Sequence, residues 1–240
     1  MYPLTSNNMA QFLKNGRHQT VEIVFNGQEE SLKITEADIV QGGLTIDRYC
    51  VSGKKIEVGS AIAAEMTLIL SNPDIQIPVE GSPGETVTGK KFDNVLFEGA
   101  ELQVLLCIES QAGDEGVESI PLGCFTVDET PRKLSSITLS ALDRMVHFDK
   151  PYDSQLAYPA SILDILSDAC YRCNIQAAET LISPNSDLPN KDFMVQQRPD
   201  DDDLTYRQIL QWIAEITGTC AYIDWNGDLR LEWYSKPAYF

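Results

Sequence analysis

The chain has few of the residues on which catalytic and metal sites usually depend. Its 240 residues include only two histidines, His18 and His147, and a single Cys-x-x-Cys, at Cys170 and Cys173. A structural zinc site takes four ligands, normally from two such pairs or from one pair with two histidines, so the sequence predicts none. The sequence also lacks nucleophile-elbow, His-Glu-x-x-His, Walker A and dinucleotide-binding patterns. We therefore expect no catalytic, cofactor-binding or metal-binding residues and no enzymatic activity.

Positive charge is scarce as well. Eighteen Lys and Arg stand against 36 Asp and Glu, for a net charge of −18, and the longest basic runs are pairs. Because nucleic acids and anionic lipids are bound by clusters of basic side chains, we expect neither as a partner. No apolar run approaches the ~18–20 residues that a membrane-spanning helix needs. No secretory signal is visible either, so we expect synthesis in a host cytoplasm without membrane insertion.

Alternation of apolar and polar residues dominates the first half of the chain. It begins at Thr20 and predicts about eight strands as far as Ser140, which favours an antiparallel β-barrel or sandwich over 20–150. Asn26-Gly27 predicts a tight hairpin turn. A flexible arm is expected at 1–19, and a long irregular Pro/Gly-rich loop at 71–94. This loop and the acidic turn 111–119 are candidate partner contacts, with solvated connections as the alternative.

The remainder, 151–240, predicts a small α/β domain of two helices and a hairpin. Tyr158-Pro159 is expected at the start of the first helix. Thr205 and Gln208 fit a capping box for the second, which Gly218 ends. The apolar stripe of that second helix is predicted to be Ile209, Trp212, Ile213 and Ile216. Asn226-Gly227 predicts the final hairpin turn, and the whole fold class is α+β, mostly β.

Two polar motifs near these helices have competing interpretations. A redox Cys-x-x-Cys opens a helix, whereas Cys170 and Cys173 close one, so we expect two buried thiols. The run Asp200–Asp203 precedes the second helix, where carboxylates stabilise the positive end of the helix dipole. Calcium needs oxygens that converge from spaced positions, so capping is favoured and a cation site is the alternative.

Three further features have both a structural and a functional interpretation. His147 and Asp149 have the spacing of a general-base pair, but no Ser or Cys partner is evident and a structural role is favoured. Gly42-Gly43 is isolated in β-patterned sequence and indicates a bulge or tight turn rather than phosphate binding. The aromatic residues Trp212, Trp225 and Trp233 support an alternative function, a carbohydrate- or receptor-binding module. Trp212 also fits a helix core and Trp225 a hairpin turn. A cell-wall hydrolase is a third alternative.

Four segments carry a family resemblance that keeps its order along the chain. Residues 37–70, 91–106, 120–152 and 204–234 resemble consecutive pieces of the baseplate hub, or tail-associated, proteins of siphophages and related prophages of Gram-positive gut bacteria. The stretch GCFTVDETPRKLSSITLSALDRMVHFDKP, at 123–151, is the most informative part. None of these segments holds a nucleophile, a phosphate cradle or a metal cage.

The resemblance implies an architecture and a set of partners. Hub proteins of this family are trimers that close the distal end of the tail tube, and they combine β-barrel-like domains with smaller α/β domains. It implies a homo-oligomer at the virion tail tip, in contact with distal tail, tape-measure and receptor-binding proteins. Many members continue into a peptidoglycan hydrolase or a fibre segment, and we expect this chain, which stops after its hairpin, to lack that extension.

Overall fold

The structure is a computed structural model that describes residues 19–26, 32–49, 57–78, 86–108, 118–178, 181–182, 186–199 and 203–233. The chain forms two compact units. The first unit joins Met1–Ile46 to Glu65–Ala141, and the second unit joins Asp47–Ala64 to Leu142–Phe240. Strands dominate, with short helices and a C-terminal hairpin, so the predicted mostly β, α+β class is confirmed.

An antiparallel sheet of seven strands organises the first unit. The strands of the unit, including a separate pair β5 and β6, are β1 Gln19–Asn26, β2 Leu32–Thr35, β3 Ile39–Asp47, β4 Glu65–Ser71, β5 Asp74–Pro78, β6 Thr86–Lys90, β7 Glu101–Ile108, β8 Glu118–Glu129 and β9 Ser136–Asp143. The strand order in the sheet is β2-β1-β7-β8-β9-β4-β3, and the sheet is open and sandwich-like rather than closed into a barrel. A short 3₁₀ helix, Glu36–Asp38, connects β2 to β3.

Alternation places one face of this sheet in the core. Every second residue of β9 is buried, as the period-2 geometry of a strand requires. The buried side chains of the sheet include Ile23, Phe25, Leu68, Leu102, Phe125 and Leu139. In β3, Gly42 has φ +69, and a Cβ on Gly43 would lie 2.9 Å from the Ile69 carbonyl oxygen. Gly43 therefore allows a close approach between backbones, and Gly42 provides the positive φ.

Two local predictions for the first unit are corrected. Phe25 lies opposite Leu32, whereas a two-residue turn at Asn26-Gly27 would place Phe25 opposite Gln28. The connection is therefore longer than that tight turn, although β1 and β2 do form the predicted hairpin. The segment 71–94, expected to be irregular, contains β5 and β6 paired as an antiparallel hairpin.

A buried asparagine anchors this second hairpin to its unit. The Asn72 side-chain oxygen accepts from the Phe92 N–H at 3.0 Å, and the Asn72 N–H donates to the Ser135 carbonyl at 2.9 Å. The Lys91 N–H also donates to the Pro73 carbonyl at 3.2 Å. Both ends of the hairpin are thus fixed by hydrogen bonds at its base.

The second unit packs two capped helices with two small strand pairs. Its elements are a 3₁₀ helix Arg144–Asp149, β10 Ala160–Ser161, α1 Ile162–Cys173, β11 Met194–Val195, α2 Tyr206–Thr217, β12 Cys220–Ile223 and β13 Leu229–Glu232. α2 begins with the predicted capping box of Thr205 and Gln208, and Gly218 ends it at φ +67. α1 instead takes Ser161 as its cap, so Pro159 precedes the helix rather than occupying its first turn.

The direction of Trp212 is a further correction. The buried positions of α2 centre on Tyr206, Leu210 and Ile213, while Trp212 is 42% exposed. At about 100° per residue, position 212 falls more than about 120° from the middle of that buried face. Trp212 therefore points away from the core, although the sequence pattern placed it in the apolar stripe of the helix.

The segment Asp47–Ala64 was expected in the 20–150 β domain, but the structure places it with the C-terminal residues. The Gly59 N–H donates to the Thr219 carbonyl at 2.9 Å. The Ala221 N–H donates to the Ser60 carbonyl at 2.8 Å.

Within the described ranges, no helix combines the length and apolar character that crossing a bilayer takes.

Candidate functional site

The hairpin of β5 and β6 has one polar face. Its register pairs Asp74 with Lys90 and Gln76 with Thr88, which places these side chains on the same side. The Lys90 ammonium lies 2.8 Å from the Asp74 carboxylate, and the Gln76 amide hydrogen-bonds the hydroxyls of Thr86 and Thr88 at 3.0 and 3.1 Å. The polar groups on this face therefore satisfy one another across the two strands.

The opposite face of the hairpin is apolar and exposed. The same register places Ile75 opposite Gly89 and sets Val87 diagonally from Ile75 on that face. Ile75 is 37% exposed and Val87 is 55% exposed. We call Ile75, Val87 and Gly89 the hairpin patch, and none of the three carries a charge.

A second candidate site lies on the outer face of β12 and β13. Ala221, Ile223, Leu229 and Leu231 alternate into the core of the second unit, and the residues between them fall on the other face. Cys220 pairs with Glu232 there, and Tyr222 with Arg230. The two strands thus present a mixed aromatic and charged surface.

A cavity of about 300 Å³ lies over this face. Four aromatic residues and three charged residues contribute to its mostly apolar lining, namely Tyr49, Tyr222, Trp225, Trp233, Arg48, Asp143 and Glu232. A second cavity of about 410 Å³ shares Glu232 and Trp233 with the first and adds Ser186, Asp187 and Arg230. We call the two together the Trp233 groove.

Hydrogen bonds fix several polar groups of the Trp233 groove. The Arg48 guanidinium donates to the Ile223 carbonyl at 3.0 Å. Burial and a hydrogen bond to the Glu232 carboxylate raise the pKa of Tyr222 above its usual value, so its hydroxyl stays protonated at neutral pH. Burial also raises the pKa of Asp143, although its carboxylate accepts from the Met145 N–H at 2.9 Å.

The groove combines residues that the sequence analysis singled out with others that it missed. Trp225 and Trp233 come together, whereas Trp212 is not among the residues that line either cavity. Arg48 and Tyr49 were not predicted, because they are distant in sequence from the C-terminal hairpin. Nothing in the local pattern around residue 48 indicates that long-range contact.

The Cys-x-x-Cys pair is confirmed as two buried thiols. Cys170 and Cys173 lie in the last turn of α1 and belong to the core of the second unit. Burial raises the pKa of each thiol to about 12. Because the thiolate is the nucleophile and the metal ligand, this burial favours the interpretation of the pair as core thiols. Cys107, Cys124 and Cys220 are also buried.

Asp149 is engaged by an arginine. Its two carboxylate oxygens lie 2.6 and 2.7 Å from the Nε and Nη2 atoms of Arg207. The Arg207 guanidinium therefore occupies both oxygens of the Asp149 carboxylate. The arrangement therefore favours the structural interpretation of Asp149 and gives a hydrolase based on it no support.

Two candidate segments fall outside the described residues. These are Asp200–Asp202 of the aspartate run and residues 111–117 of the acidic turn. Asp203 is described, directly before the Leu204-Thr205 entry to α2. Among the residues that the structure describes, no three His, Cys, Asp or Glu side chains are grouped so as to hold a metal ion.

Comparisons with known proteins give a similarity to solved structures but not to family models or curated proteins. No protein-family model matches the chain, and neither does any curated protein. Among solved structures, it is similar to the 43 kDa tail protein of prophage MuSo2 from Shewanella oneidensis, at 15% sequence identity and a TM-score of 0.46. The match covers 90% of this chain and 53% of that protein, so the chain spans about half the length of its structural relative.

Proposed function

We propose that this protein is a structural component of a phage or prophage tail tip, a baseplate hub. In this role it assembles with copies of itself and with distal tail, tape-measure and receptor-binding proteins at the end of the tail tube. The ordered resemblance of residues 37–70, 91–106, 120–152 and 204–234 to hub proteins supports this proposal. The hairpin patch is the structural observation that carries it.

The hairpin patch has the properties of a subunit contact. An isolated two-stranded hairpin is marginally stable in water, and burial of an apolar side chain contributes about 1.5–3 kcal/mol. Covering Ile75 and Val87 with another subunit removes two partly exposed β-branched side chains from water. Assembly thereby stabilises a hairpin that is otherwise fixed mainly at its base.

The absence of charge on the hairpin patch favours a second copy of this chain as the occupant. Each copy carries a net charge of −18, so two copies repel one another across most of their surfaces. An interface between like-charged subunits is least costly where neither contributes a charge. Within β5 and β6 themselves, the charged residues Asp74 and Lys90 are paired on the other face.

We expect Val87→Asp to prevent self-assembly. Light scattering coupled to size-exclusion chromatography should give the unaltered chain a mass of three times 26.7 kDa, and the variant a mass of 26.7 kDa. The introduced carboxylate is buried at the contact without a partner, which is costly. The matched control is Thr88→Asp, which places the same charge on the polar face and should leave the trimer intact.

The opposite pattern contradicts the proposed contact. If Val87→Asp assembles as the unaltered chain does, the hairpin patch is not the interface. If the chain and a longer natural version are both monomers at high concentration, a closed-ring hub is excluded.

A further inference from the structure

We infer that the Trp233 groove of the second unit binds a neutral oligosaccharide. This inference concerns a different unit from the hairpin patch and does not depend on the hub proposal. It rests on the aromatic lining, on the presence of both signs of charge, and on two cavities that share Trp233 and Glu232 in their linings.

The aromatic lining provides the apolar contacts that binding of a sugar ring needs. Trp233 is 51% exposed at the point that both cavities share, and Trp225 and Tyr222 line the first cavity beside it. Indole and phenol rings offer flat apolar faces with a polar edge, which suit the C–H faces of a pyranose ring. An aromatic wall that remains half-exposed is accessible to a ligand from solvent.

The charges determine which class of ligand fits. Arg48 disfavours a cation and Glu232 disfavours an anion, because both line the first cavity. The third charged residue, Asp143, already accepts from the Met145 N–H. A neutral polyol satisfies both groups, since its hydroxyls accept from the guanidinium and donate to the carboxylate. An apolar side chain of a protein partner would instead desolvate both charges and offer them no hydrogen bond.

The two cavities favour a chain of sugars over a single ring. The second cavity shares Trp233 and Glu232 with the first, and its lining adds Ser186, Asp187 and Arg230. Arg230 is held in place by Asp224, whose Oδ2 atom lies 3.0 Å from its Nε. Cavities of about 300 and 410 Å³ each fall in the range of ordinary small-ligand sites.

The test uses the full chain and two kinds of probe. A glycan array that includes plant, animal and bacterial cell-wall glycans identifies neutral ligands, and tryptophan fluorescence titrations measure their affinity. Chitotetraose and its fully deacetylated tetramer form a matched pair, neutral and cationic, and tetragalacturonate supplies the anionic member. We expect neutral oligosaccharides to bind and to bind better than either charged class.

Matched variants locate the binding to the groove. Trp233→Ala should weaken the best neutral ligand by about tenfold or more, the loss expected for one good aromatic contact. Trp212→Ala removes a similarly exposed tryptophan outside the groove and should leave the affinity unchanged. Glu232→Gln keeps the side-chain shape and should weaken binding severalfold, which covers the case of a Trp233 variant that fails to fold.

Three results overturn the inference. They are the absence of any neutral glycan hit on the array, a preference for the cationic or anionic probe, and equal losses in the Trp212 and Trp233 variants. None of them bears on the hub proposal, because self-assembly is measured through the hairpin of the first unit.

Discussion

Replacing Phe97 with alanine is expected to cost the first unit about 3–5 kcal/mol of its free energy of unfolding. Phe97 is fully buried, and its ring makes edge-to-face contacts with Phe25 at 5.5 Å and Phe92 at 6.0 Å between centroids. The Arg132 guanidinium lies 6.0 Å from the same ring. The variant leaves a cavity between Phe25 of β1, Phe92 at the base of the β5–β6 hairpin and the Arg132 guanidinium.

Urea unfolding followed by far-UV circular dichroism measures this loss. The chain's three tryptophans, Trp212, Trp225 and Trp233, belong to the second unit, so their fluorescence reports that unit separately. The control is Leu96→Ala at the neighbouring position, which is 61% exposed and should change the free energy of unfolding by less than about 0.5 kcal/mol. Equal effects of the two variants would show that the aromatic cluster does not stabilise the first unit.

The second large effect is expected at Asp224, where alanine should cost the second unit about 2–4 kcal/mol. The buried Asp224 carboxylate accepts from the N–H groups of Asn226 and Asp228 at 2.9 and 3.1 Å and from Arg230 at 3.0 Å. The substitution deprives two turn amides and a guanidinium of their acceptor. Tryptophan fluorescence during urea unfolding measures the cost.

Asp228→Asn provides a contrast in the same turn. Burial and the neighbouring Asp224 charge raise the pKa of Asp228, so its ionised form destabilises the folded state at neutral pH. When the pKa of a carboxyl is higher in the folded state than in the unfolded state, the protein loses stability as pH rises above the unfolded-state pKa. The asparagine variant should therefore be more stable than the unaltered chain at pH 7. That gain should shrink as pH falls through the folded-state pKa, and a gain that grows instead would contradict this account.

Local signals predicted the elements whose stability is local. The Thr205–Gln208 capping box and Gly218 define α2, and both were predictable because a helix end needs specific donors, acceptors and a positive φ. The thiols of Cys170 and Cys173 were likewise placed correctly by their position at a helix end. Strand alternation predicted most of the seven-stranded sheet for the same reason.

Features that depend on distant contacts were not predictable in this way. Prolines and glycines in 71–94 hid the short alternation of β5 and β6, which is stabilised by cross-strand pairs such as Asp74 with Lys90. The Trp233 groove needs residue 48 beside residue 223, a contact that 175 positions of sequence separate. Trp212 shows the related limit that hydrophobicity alone does not determine which side of a helix is buried.

Immunogold electron microscopy of purified virions that encode this chain tests the central claim most directly. An antibody raised against the chain should place gold at the distal end of the tail, where a baseplate hub closes the tube. Gold on the capsid or along the tail shaft would contradict the account, as would virions that contain no copy of the chain.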